Sequence, residues 1–228
     1  MKHAIVTGSS SGIGRAIAER LLADGWQVTG VSRSDPAIAH PAFRFEPADL
    51  ARGDEVDRVA RGLGTPHALV HAAGVMRGAA LGALRPEDSE AMWRLHVDGA
   101  TRLANALLPR MAEAGYGRVV LIGSRTASGM PGKSQYAATK AALAALARSW
   151  ASEVVTRGVT VNLVSPAATD TAMLADPARA GTLPKLPPIG RLIRADEVAA
   201  LVVFLLSDAA AAITGQDIVI CGGASLPR

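Results

Sequence analysis

The sequence has few of the features that mark secreted, metal-binding or membrane proteins. Its single cysteine, Cys221, cannot form an internal disulfide, and no pair of cysteine or histidine residues has the spacing of metal ligands. No apolar run approaches the ~18 residues of a membrane span. A strand-like segment follows Lys2 at once, which leaves no room for a signal peptide. We therefore expect a cytoplasmic protein with no bound metal and no membrane partner.

Aromatic residues are also scarce, at 4% of the chain, and this bears on its basic charge balance. A net charge of +4 and a pI near 9.7 could indicate a nucleic-acid partner, but the arginines are scattered and few rings are available to stack on bases. A solvated surface that also accepts a phosphorylated ligand explains the charge better. With 228 residues, 49% of them hydrophobic, the chain can bury one core, so we expect a single domain over 1–228.

Short runs rich in β-branched residues alternate with longer helical runs. The alternation predicts strands near 3–7, 26–32, 42–46, 67–72, 117–123, 159–164 and 217–220. Helices are predicted near 12–24, 52–63, 87–113, 134–157 and 196–206. This pattern indicates an α/β fold in which seven mostly parallel strands form a doubly wound sheet with helices on both faces. The connection over 165–190 leaves the carboxyl end of a strand and is long enough to be a substrate lid.

A glycine-rich loop joins the first predicted strand to the first helix. It reads Thr7-Gly8-Ser9-Ser10-Ser11-Gly12-Ile13-Gly14. Glycines at such a junction let a dinucleotide pyrophosphate approach the backbone, and the helix N-terminus favours its negative charge. A plain strand-to-helix turn can also use glycines, but the position at the first junction favours a Rossmann-type nucleotide site. The predicted cofactor contacts in this loop are Gly8, Ser10, Ser11, Gly12, Ile13 and Gly14.

The end of the second strand distinguishes NAD from NADP. An acidic side chain there would bind the ribose hydroxyls of NAD, whereas this chain has Ser32 and Arg33, which suit a 2′-phosphate. NADPH is therefore favoured over NADH, and the alternative is that Arg33 is only a solvated charge. Asp49 and Leu50, after the third strand, are predicted at the adenine end, although an aspartate there could instead cap the next helix.

Three polar residues after the fifth strand suggest carbonyl chemistry. Ser124 follows that strand, and Tyr136 and Lys140 lie one turn apart on one face of the next helix. A tyrosine with an ordinary pKa near ~10 is a poor base at neutral pH, but a nearby ammonium favours its ionised form. We therefore predict Tyr136 as the proton donor and acceptor. A tyrosine and lysine at this spacing are often only a surface pair, so the interpretation depends on the nucleotide loop and the serine.

With these motifs in order, the chain resembles the short-chain dehydrogenase/reductase family along nearly its whole length. The matching residues are Thr7 to Gly14, Asp49, Ala73, Gly74, Ser124, Tyr136, Lys140, Asn162, Pro166, Thr171, Thr214 to Gln216, Gly222 and Gly223. The resemblance implies that Ser124 hydrogen-bonds the substrate oxygen, that Tyr136 exchanges a proton with it, and that Lys140 binds the nicotinamide ribose. It also implies a homotetramer or homodimer, and further cofactor contacts from Ala72, Ala73, Gly74, Pro166, Thr169 and Thr171.

Two histidines stand where the family normally has asparagine. His71 replaces the first residue of Asn-Asn-Ala-Gly after the fourth strand, and we expect its ring to keep the same scaffold hydrogen bonds. His96 replaces the asparagine that completes the family's catalytic tetrad. Helical spacing puts His96 on an inward face with Met92, Trp93 and Leu103. It is therefore either a core histidine bonded to the backbone or a substitute catalytic residue in the proton relay.

The sequence thus predicts an NADPH-dependent oxidoreductase that interconverts a ketone or aldehyde and the corresponding alcohol. NADPH would supply the hydride, Tyr136 the proton and Ser124 the polarising hydrogen bond. Apolar residues of the candidate lid suggest a small, partly apolar substrate, namely Met173, Leu174, Leu183, Leu186, Pro187, Pro188 and Ile189. The alternative is an NADP-binding sensor or scaffold with weak or no turnover. His71 and His96 motivate that alternative, and the intact Ser124, Tyr136 and Lys140 argue against it.

Overall fold

The structure is a computed structural model that describes residues 1–175 and 186–227. Its main sheet has seven parallel strands in the order β3, β2, β1, β4, β5, β6, β9. They are β1 (His3–Thr7), β2 (Gln27–Ser32), β3 (Phe43–Pro47), β4 (Ala68–His71), β5 (Gly117–Ile122), β6 (Val159–Pro166) and β9 (Asp217–Ile220). The predicted α/β fold with a doubly wound parallel sheet is confirmed. A small second sheet pairs β7 (Thr169–Asp170) with β8 (Ile193–Arg194), which are too short for a sequence pattern to predict.

Helices cover both faces of the main sheet. They are α1 (Gly12–Ala23), α2 (Gly53–Gly62), α3 (Pro86–Trp93), α4 (Gly99–Glu113), α5 (Ser134–Val154) and α6 (Ala195–Leu206). One core cluster joins the sheet to α2, α4 and α5, and the other joins it to α1 and α6. Val119 of β5 faces the first cluster and Val120 faces the second, which explains why this strand is apolar without alternation. Among the described residues, no helix is both long and apolar enough to cross a bilayer.

The prediction of one helix over 87–113 is right in extent, since the backbone is helical over 86–113, but a π turn that the prediction missed interrupts it. α3 ends at Trp93, a π-helical turn occupies Arg94–Asp98, and α4 begins at Gly99. In this turn the backbone N–H of Gly99 donates to the carbonyl of Arg94, five residues earlier. The wide turn buries His96, whereas Trp93, which was predicted on the same inward face, is 42% exposed. A π turn accommodates one extra residue in a helix and needs no particular residue type. The hydrophobic pattern of the sequence therefore does not reveal it.

The order of the strands determines where a ligand can bind. β1 connects through α1 to β2 on one side of it, whereas the chain resumes at β4 on its other side. The connections therefore diverge between β1 and β4 and leave a crevice at the carboxyl ends of these strands. Open α/β sheets bind their ligands at such a switch point. The loops after β1, β4 and β5 surround this crevice.

Candidate active site

A cleft of about 570 Å³ opens at the carboxyl ends of the strands, which is a volume typical of small-molecule sites. Every residue predicted to contact the cofactor or to act in catalysis lines this cleft, with the exception of His96. The lining residues from that prediction are Gly8, Ser10, Ser11, Gly12, Ile13, Gly14, Ser32, Arg33, Asp49, Leu50, Ala72, Ala73, Gly74, Ser124, Tyr136, Lys140, Pro166, Thr169 and Thr171. Residues from the ends of six strands and the connections that follow them thus meet at one site.

The glycine loop forms one end of the cleft, and its shape leaves no space for side chains. Gly8 has a φ of +68°, and a Cβ atom there would lie 2.8 Å from the backbone of Ala73. A Cβ atom on Gly14 would lie 2.3 Å from the carbonyl oxygen of Gly8. Ser11 is the N-cap of α1 but makes no side-chain capping bond, so the first N–H groups of this helix keep their positive partial charge towards the cleft. This end of the cleft is therefore a backbone cradle suited to an anion.

The end of β2 presents an arginine to the same part of the cleft. Arg33 is exposed, and its guanidinium makes no ion pair or hydrogen bond within the described part of the chain. The hydroxyl of Ser32 is buried and donates to the carbonyl of Ser34 at 2.9 Å, so its hydrogen is already committed. The Asp49 carboxylate accepts the N–H of Ala51 at 3.0 Å and closes a turn before α2, whose N-cap is Arg52. Asp49 is thus not the helix cap itself.

The loop after β5 fixes the predicted serine. Ser124 is buried and is the N-cap of a 3₁₀ turn over Arg125–Ser128, in which its side chain accepts the N–H of Thr126 at 3.2 Å. The hydroxyl oxygens of Ser124 and Thr126 lie 2.8 Å apart. These two bonds hold the Ser124 hydroxyl at the surface of the cleft.

Helix α5 carries Tyr136 and Lys140 into the cleft from the same side. Both side chains are buried, and the Lys140 ammonium lies 5.8 Å from the centre of the Tyr136 ring. The Lys140 Nζ donates to the carbonyl of Ile122 at 2.8 Å, which ties α5 to the end of β5. Burial lowers the pKa of Lys140 from 10.5 to about 8, because the ammonium has lost most of its hydration.

His96 lies directly behind this pair and does not line the cleft. Its Nε2 accepts the N–H of Val75 at 3.0 Å, and its Nδ1 lies 2.9 Å from the Thr139 hydroxyl. Because Thr139 donates its own hydrogen to the carbonyl of Tyr136, the Nδ1–H of His96 is the donor to Thr139. Burial, and then the charge of Lys140, hold the pKa of His96 well below 6.5, so the ring is neutral. Its edge packs against the Tyr136 ring, with the ring centres 5.8 Å apart.

His71 is a second buried histidine on the same side of the sheet. Thr7 accepts the N–H groups of Ala72 and Ala73, so the hydrogen of its hydroxyl is directed to His71 Nδ1, 3.1 Å away. The His71 Nε2 therefore carries the ring hydrogen. It is directed towards the backbone of the π turn without reaching a partner at hydrogen-bond distance among the described residues. Burial and the charge of Lys140 lower the pKa of His71 to about 3.

Comparisons with known proteins identify this arrangement. The family model described as enoyl-(acyl carrier protein) reductase matches residues 8–225. A solved structure named as a short chain dehydrogenase/reductase family protein superposes with a TM-score of 0.90 at 33% identity, over 97% of this chain and 96% of that one. This chain belongs to the short-chain dehydrogenase/reductase family. It is accordingly an oxidoreductase of the type that acts on CH–OH and C=O groups.

Two curated relatives of this chain are named for different substrates. The 3-oxoacyl-[acyl-carrier-protein] reductase FabG of Escherichia coli (strain K12) is 37% identical over 97% of this chain and 96% of the relative. The D-threitol dehydrogenase of Mycolicibacterium smegmatis is 35% identical over 97% of this chain and 92% of the relative. Family membership alone therefore does not choose a substrate for this chain.

Sequence reasoning missed three residues of this short-chain dehydrogenase/reductase site. Thr126 lies two residues after Ser124, a spacing at which a hydroxyl can close a turn, and it was visible in the sequence. Thr139 precedes Lys140 on α5 and meets His96 across 43 residues of chain, which no local pattern could reveal. Arg125 also lines the cleft directly beside Ser124. Its position directly after Ser124 is the signal in the sequence that indicates it.

The candidate lid over 165–190 is only partly within the described residues. Met173, Leu174 and Pro187 line the cleft, whereas Leu186 is 52% exposed and is not among the lining residues. The methyl group of Thr171 would lie 3.3 Å from a Cβ atom on Gly12, so this segment reaches across to the glycine loop. Leu183, also predicted in the lid, lies outside the described residues.

Proposed function

We propose that this chain uses NADPH to interconvert a ketone or aldehyde and the corresponding alcohol on a small, partly apolar substrate. The observation that carries the proposal is that Ser124, Tyr136 and Lys140 line the same cleft as the glycine loop. A carbonyl group held among these side chains would lie next to a nucleotide bound along that loop. The FabG and threitol dehydrogenase relatives, which are named for C=O and CH–OH chemistry, support the reaction type.

The residues at the cofactor end fit a phosphorylated dinucleotide. A Cβ atom on Gly8 or Gly14 would collide with the backbone of Ala73 or Gly8. Glycine at both positions therefore preserves the tight loop that brings backbone N–H groups to a pyrophosphate, and the first N–H groups of α1 favour its charge. Arg33 has an uncommitted guanidinium that suits a 2′-phosphate, and this supports NADPH over NADH. Thr171 reaches the glycine loop from the opposite side and would help to enclose the cofactor. When bound, the nicotinamide would supply or accept the hydride.

The catalytic side chains would divide the remaining work among them. Ser124 would donate a hydrogen bond to the substrate oxygen, and Thr126 would hold the serine hydroxyl in place. Tyr136 would exchange a proton with the same oxygen, because the nearby Lys140 ammonium favours the ionised phenol. Lys140 uses one donor on Ile122 and so keeps further N–H groups for the nicotinamide ribose.

His96 is proposed as a positioning residue rather than as a group that touches the substrate. Both of its ring nitrogens are committed, one to Val75 and one to Thr139, and its ring supports Tyr136. It would therefore act on catalysis by fixing the tyrosine and the π turn. This role combines the two alternatives, since the histidine is bonded to the backbone and also lies within the catalytic group.

The remaining expectations are part of the same proposal. We infer a single domain over 1–228, in which 165–190 acts as a substrate lid, and a homotetramer or homodimer in the cytoplasm. The D-threitol dehydrogenase relative, which is named for a small-molecule substrate, supports a small-molecule partner rather than a nucleic acid. The competing function is an NADP-binding sensor or scaffold with weak or no turnover. It is motivated by His71 and His96, which stand where the family normally has asparagine.

Cofactor titration followed by turnover assays tests the proposal. NADPH should bind at least about 10-fold more tightly than NADH, and Arg33→Gln should remove most of that preference, because one charge-assisted contact to the 2′-phosphate is lost. Oxidation of NADPH is then followed with a panel of ketones, aldehydes and 3-oxoacyl thioesters. Tyr136→Phe should lower turnover by about 100-fold or more and leave NADPH affinity unchanged.

The chain offers a matched control for the tyrosine variant. Tyr116 hydrogen-bonds Lys2 and Asp208 away from the residues that line the cleft, so Tyr116→Phe should keep full turnover. If the parent protein binds NADPH and oxidises it with no compound of the panel, the sensor or scaffold function replaces the reductase. A preference for NADH that Arg33→Gln leaves unchanged would overturn the cofactor assignment.

A further inference from the structure

Arg125 places a positive charge in the cleft, and the proposed hydride and proton transfers give this charge no role. It follows Ser124 directly, begins the 3₁₀ turn after β5, and lines the cleft. Its side chain is half-buried, and it makes no ion pair or hydrogen bond within residues 1–175 and 186–227. The nearby Arg77, by contrast, is paired with Asp88 at 3.1 Å. An arginine that has lost part of its hydration without gaining a partner is poorly satisfied unless a ligand supplies the anion.

The position of Arg125 separates it from the phosphates of the proposed cofactor. Arg33 follows β2 and Arg125 follows β5, and these strands are three places apart in the sheet. Neighbouring strands are about 4.8 Å apart, so the backbones of the two arginines stand about 14 Å from one another along the edge of the sheet. A 2′-phosphate bound beside Ser32 and Arg33 would therefore lie three strands away from the backbone of Arg125. Arg125 instead adjoins the serine that is proposed to hold the substrate oxygen.

The charges around the cleft favour an anionic ligand at this end. Among the described residues that line it, the basic ones are Arg33, Arg77, Arg125, Lys133 and Lys140, and the acidic one is Asp49. Asp49 follows β3, on the side of the cleft away from Ser124. Asp88 offsets the charge of Arg77, and the remaining balance at the substrate end is positive because Arg125 and Lys140 have no acidic side chain paired with them among the described residues. A positive potential raises the local concentration of anions and speeds their binding.

We infer that Arg125 binds an anionic group of the substrate, a carboxylate or a phosphate, and thereby selects anionic carbonyl compounds. The inference rests on the proposed function, since it assigns the class of substrate to the same cleft. A guanidinium offers two parallel N–H donors that match the oxygen atoms of either anion. With its carbonyl oxygen at Ser124 and its anionic group at Arg125, the substrate would be held at two points. Met130 and Met173 also line the cleft and would contact an apolar part of the substrate.

Matched pairs of compounds test this selectivity. Acetoacetate is compared with its neutral methyl ester, and dihydroxyacetone phosphate with dihydroxyacetone. Binding to the enzyme saturated with NADP⁺ is measured by calorimetry, and kcat/KM is measured in the direction of reduction. The parent should prefer the anion in at least one pair, and the pair that shows the preference identifies a carboxylate or a phosphate as the recognised group.

Variants then assign the preference to one side chain. Arg125→Gln should weaken binding and lower kcat/KM for the preferred anion by about 10- to 100-fold while the neutral partner is unchanged. Arg125→Lys should restore part of the loss, because it restores the charge without the paired donors. Arg61→Gln is the control, since Arg61 is exposed on α2 and is not among the cleft residues, and it should match the parent.

Three results would overturn the inference. The parent could show no preference in either pair, Arg125→Gln could weaken the neutral and anionic compounds equally, or Arg61→Gln could lose as much as Arg125→Gln. Failure of the proposed function looks different, because NADPH oxidation would then be missing with every compound while anion binding to the parent and its loss in Arg125→Gln would persist.

Discussion

The two ends of the cleft are built from different groups, and different forces determine which substitutions each end tolerates. The glycine loop presents backbone atoms, and the absence of Cβ atoms at Gly8 and Gly14 lets its backbone segments pack closely. The end formed by β5 and α5 presents side chains, among them the buried Lys140, and His71 and His96 are buried behind it. The first end should therefore be sensitive to added volume and the second to added charge.

The largest expected effect is a loss of stability in acid, which arises at the catalytic end. Burial lowers the pKa of His71 to about 3 and that of His96 well below 6.5. The unfolded chain binds protons at these residues as the pH falls below 6.5, whereas the folded chain does not. For His71 this lowers the free energy of unfolding by about 1.4 kcal/mol per pH unit between pH 6.5 and 3, which removes about 3 kcal/mol by about pH 4.5, as measured by chemical denaturation. His96 adds to the loss in the same direction.

A double variant isolates the contribution of these two rings. Replacement of His71 and His96 by asparagine, the residue usual in the family, removes both titrations and should give a shallower dependence of stability on pH. The exposed His40 is the matched control, and His40→Asn should keep the slope of the parent. An acid slope that is the same in the double variant and the parent would show that the buried histidines are not its cause.

The second prediction concerns volume at the cofactor end. Gly14→Ala places a methyl group 2.3 Å from the Gly8 carbonyl oxygen, so the loop must move away from the shape that fits a pyrophosphate. NADPH binding should weaken by about 100-fold, in line with the 1–3 kcal/mol that overpacking costs. Fluorescence titration of NADPH measures the change. Gly62→Ala is the control, because nothing lies within 4 Å of a Cβ atom there, and it should leave NADPH affinity intact.

The third prediction concerns the cost of burying Lys140. Its pKa falls from 10.5 to about 8 on folding, so the unfolded chain holds the extra proton between these values and the free energy of unfolding rises with pH across that window. Below pH 8 the burial costs up to about 3 kcal/mol. Lys140→Met removes this cost but also loses the bond to Ile122, worth about 1 kcal/mol.

The methionine variant should therefore be about 2 kcal/mol more stable than the parent at pH 7, and it should lose turnover. Denaturation at a series of pH values measures the difference, which should shrink between pH 8 and 10.5. A difference that stays constant across this window would indicate a packing effect instead. The outcome decides whether the buried Lys140 ammonium, which is proposed to act in catalysis, lowers the free energy of unfolding of the parent protein.

The same contrast explains what the sequence could predict. The seven strands and the glycine loop follow from patterns and spacings, because backbone geometry restricts which residues are allowed. The hydrogen bond between His96 and Thr139 joins side chains that are 43 residues apart in the chain, and no local spacing pattern predicts it. The bond between Ser124 and Thr126 is local, yet it depends on a 3₁₀ turn that leaves no signal in the hydrophobic pattern. Side-chain networks of this kind become visible only with the fold.

The π turn between α3 and α4 has a consequence for how the chain can change. Within it, one residue more than an α-helix needs is accommodated between Trp93 and Gly99. Deletion of a single residue over 94–98 would let α3 and α4 join as one regular helix, because the wide turn already absorbs the extra residue. Leu103 and Leu107 would then stay in the core. A second deletion would exceed what the turn absorbs, and everything after it would rotate by about 100° relative to what precedes it.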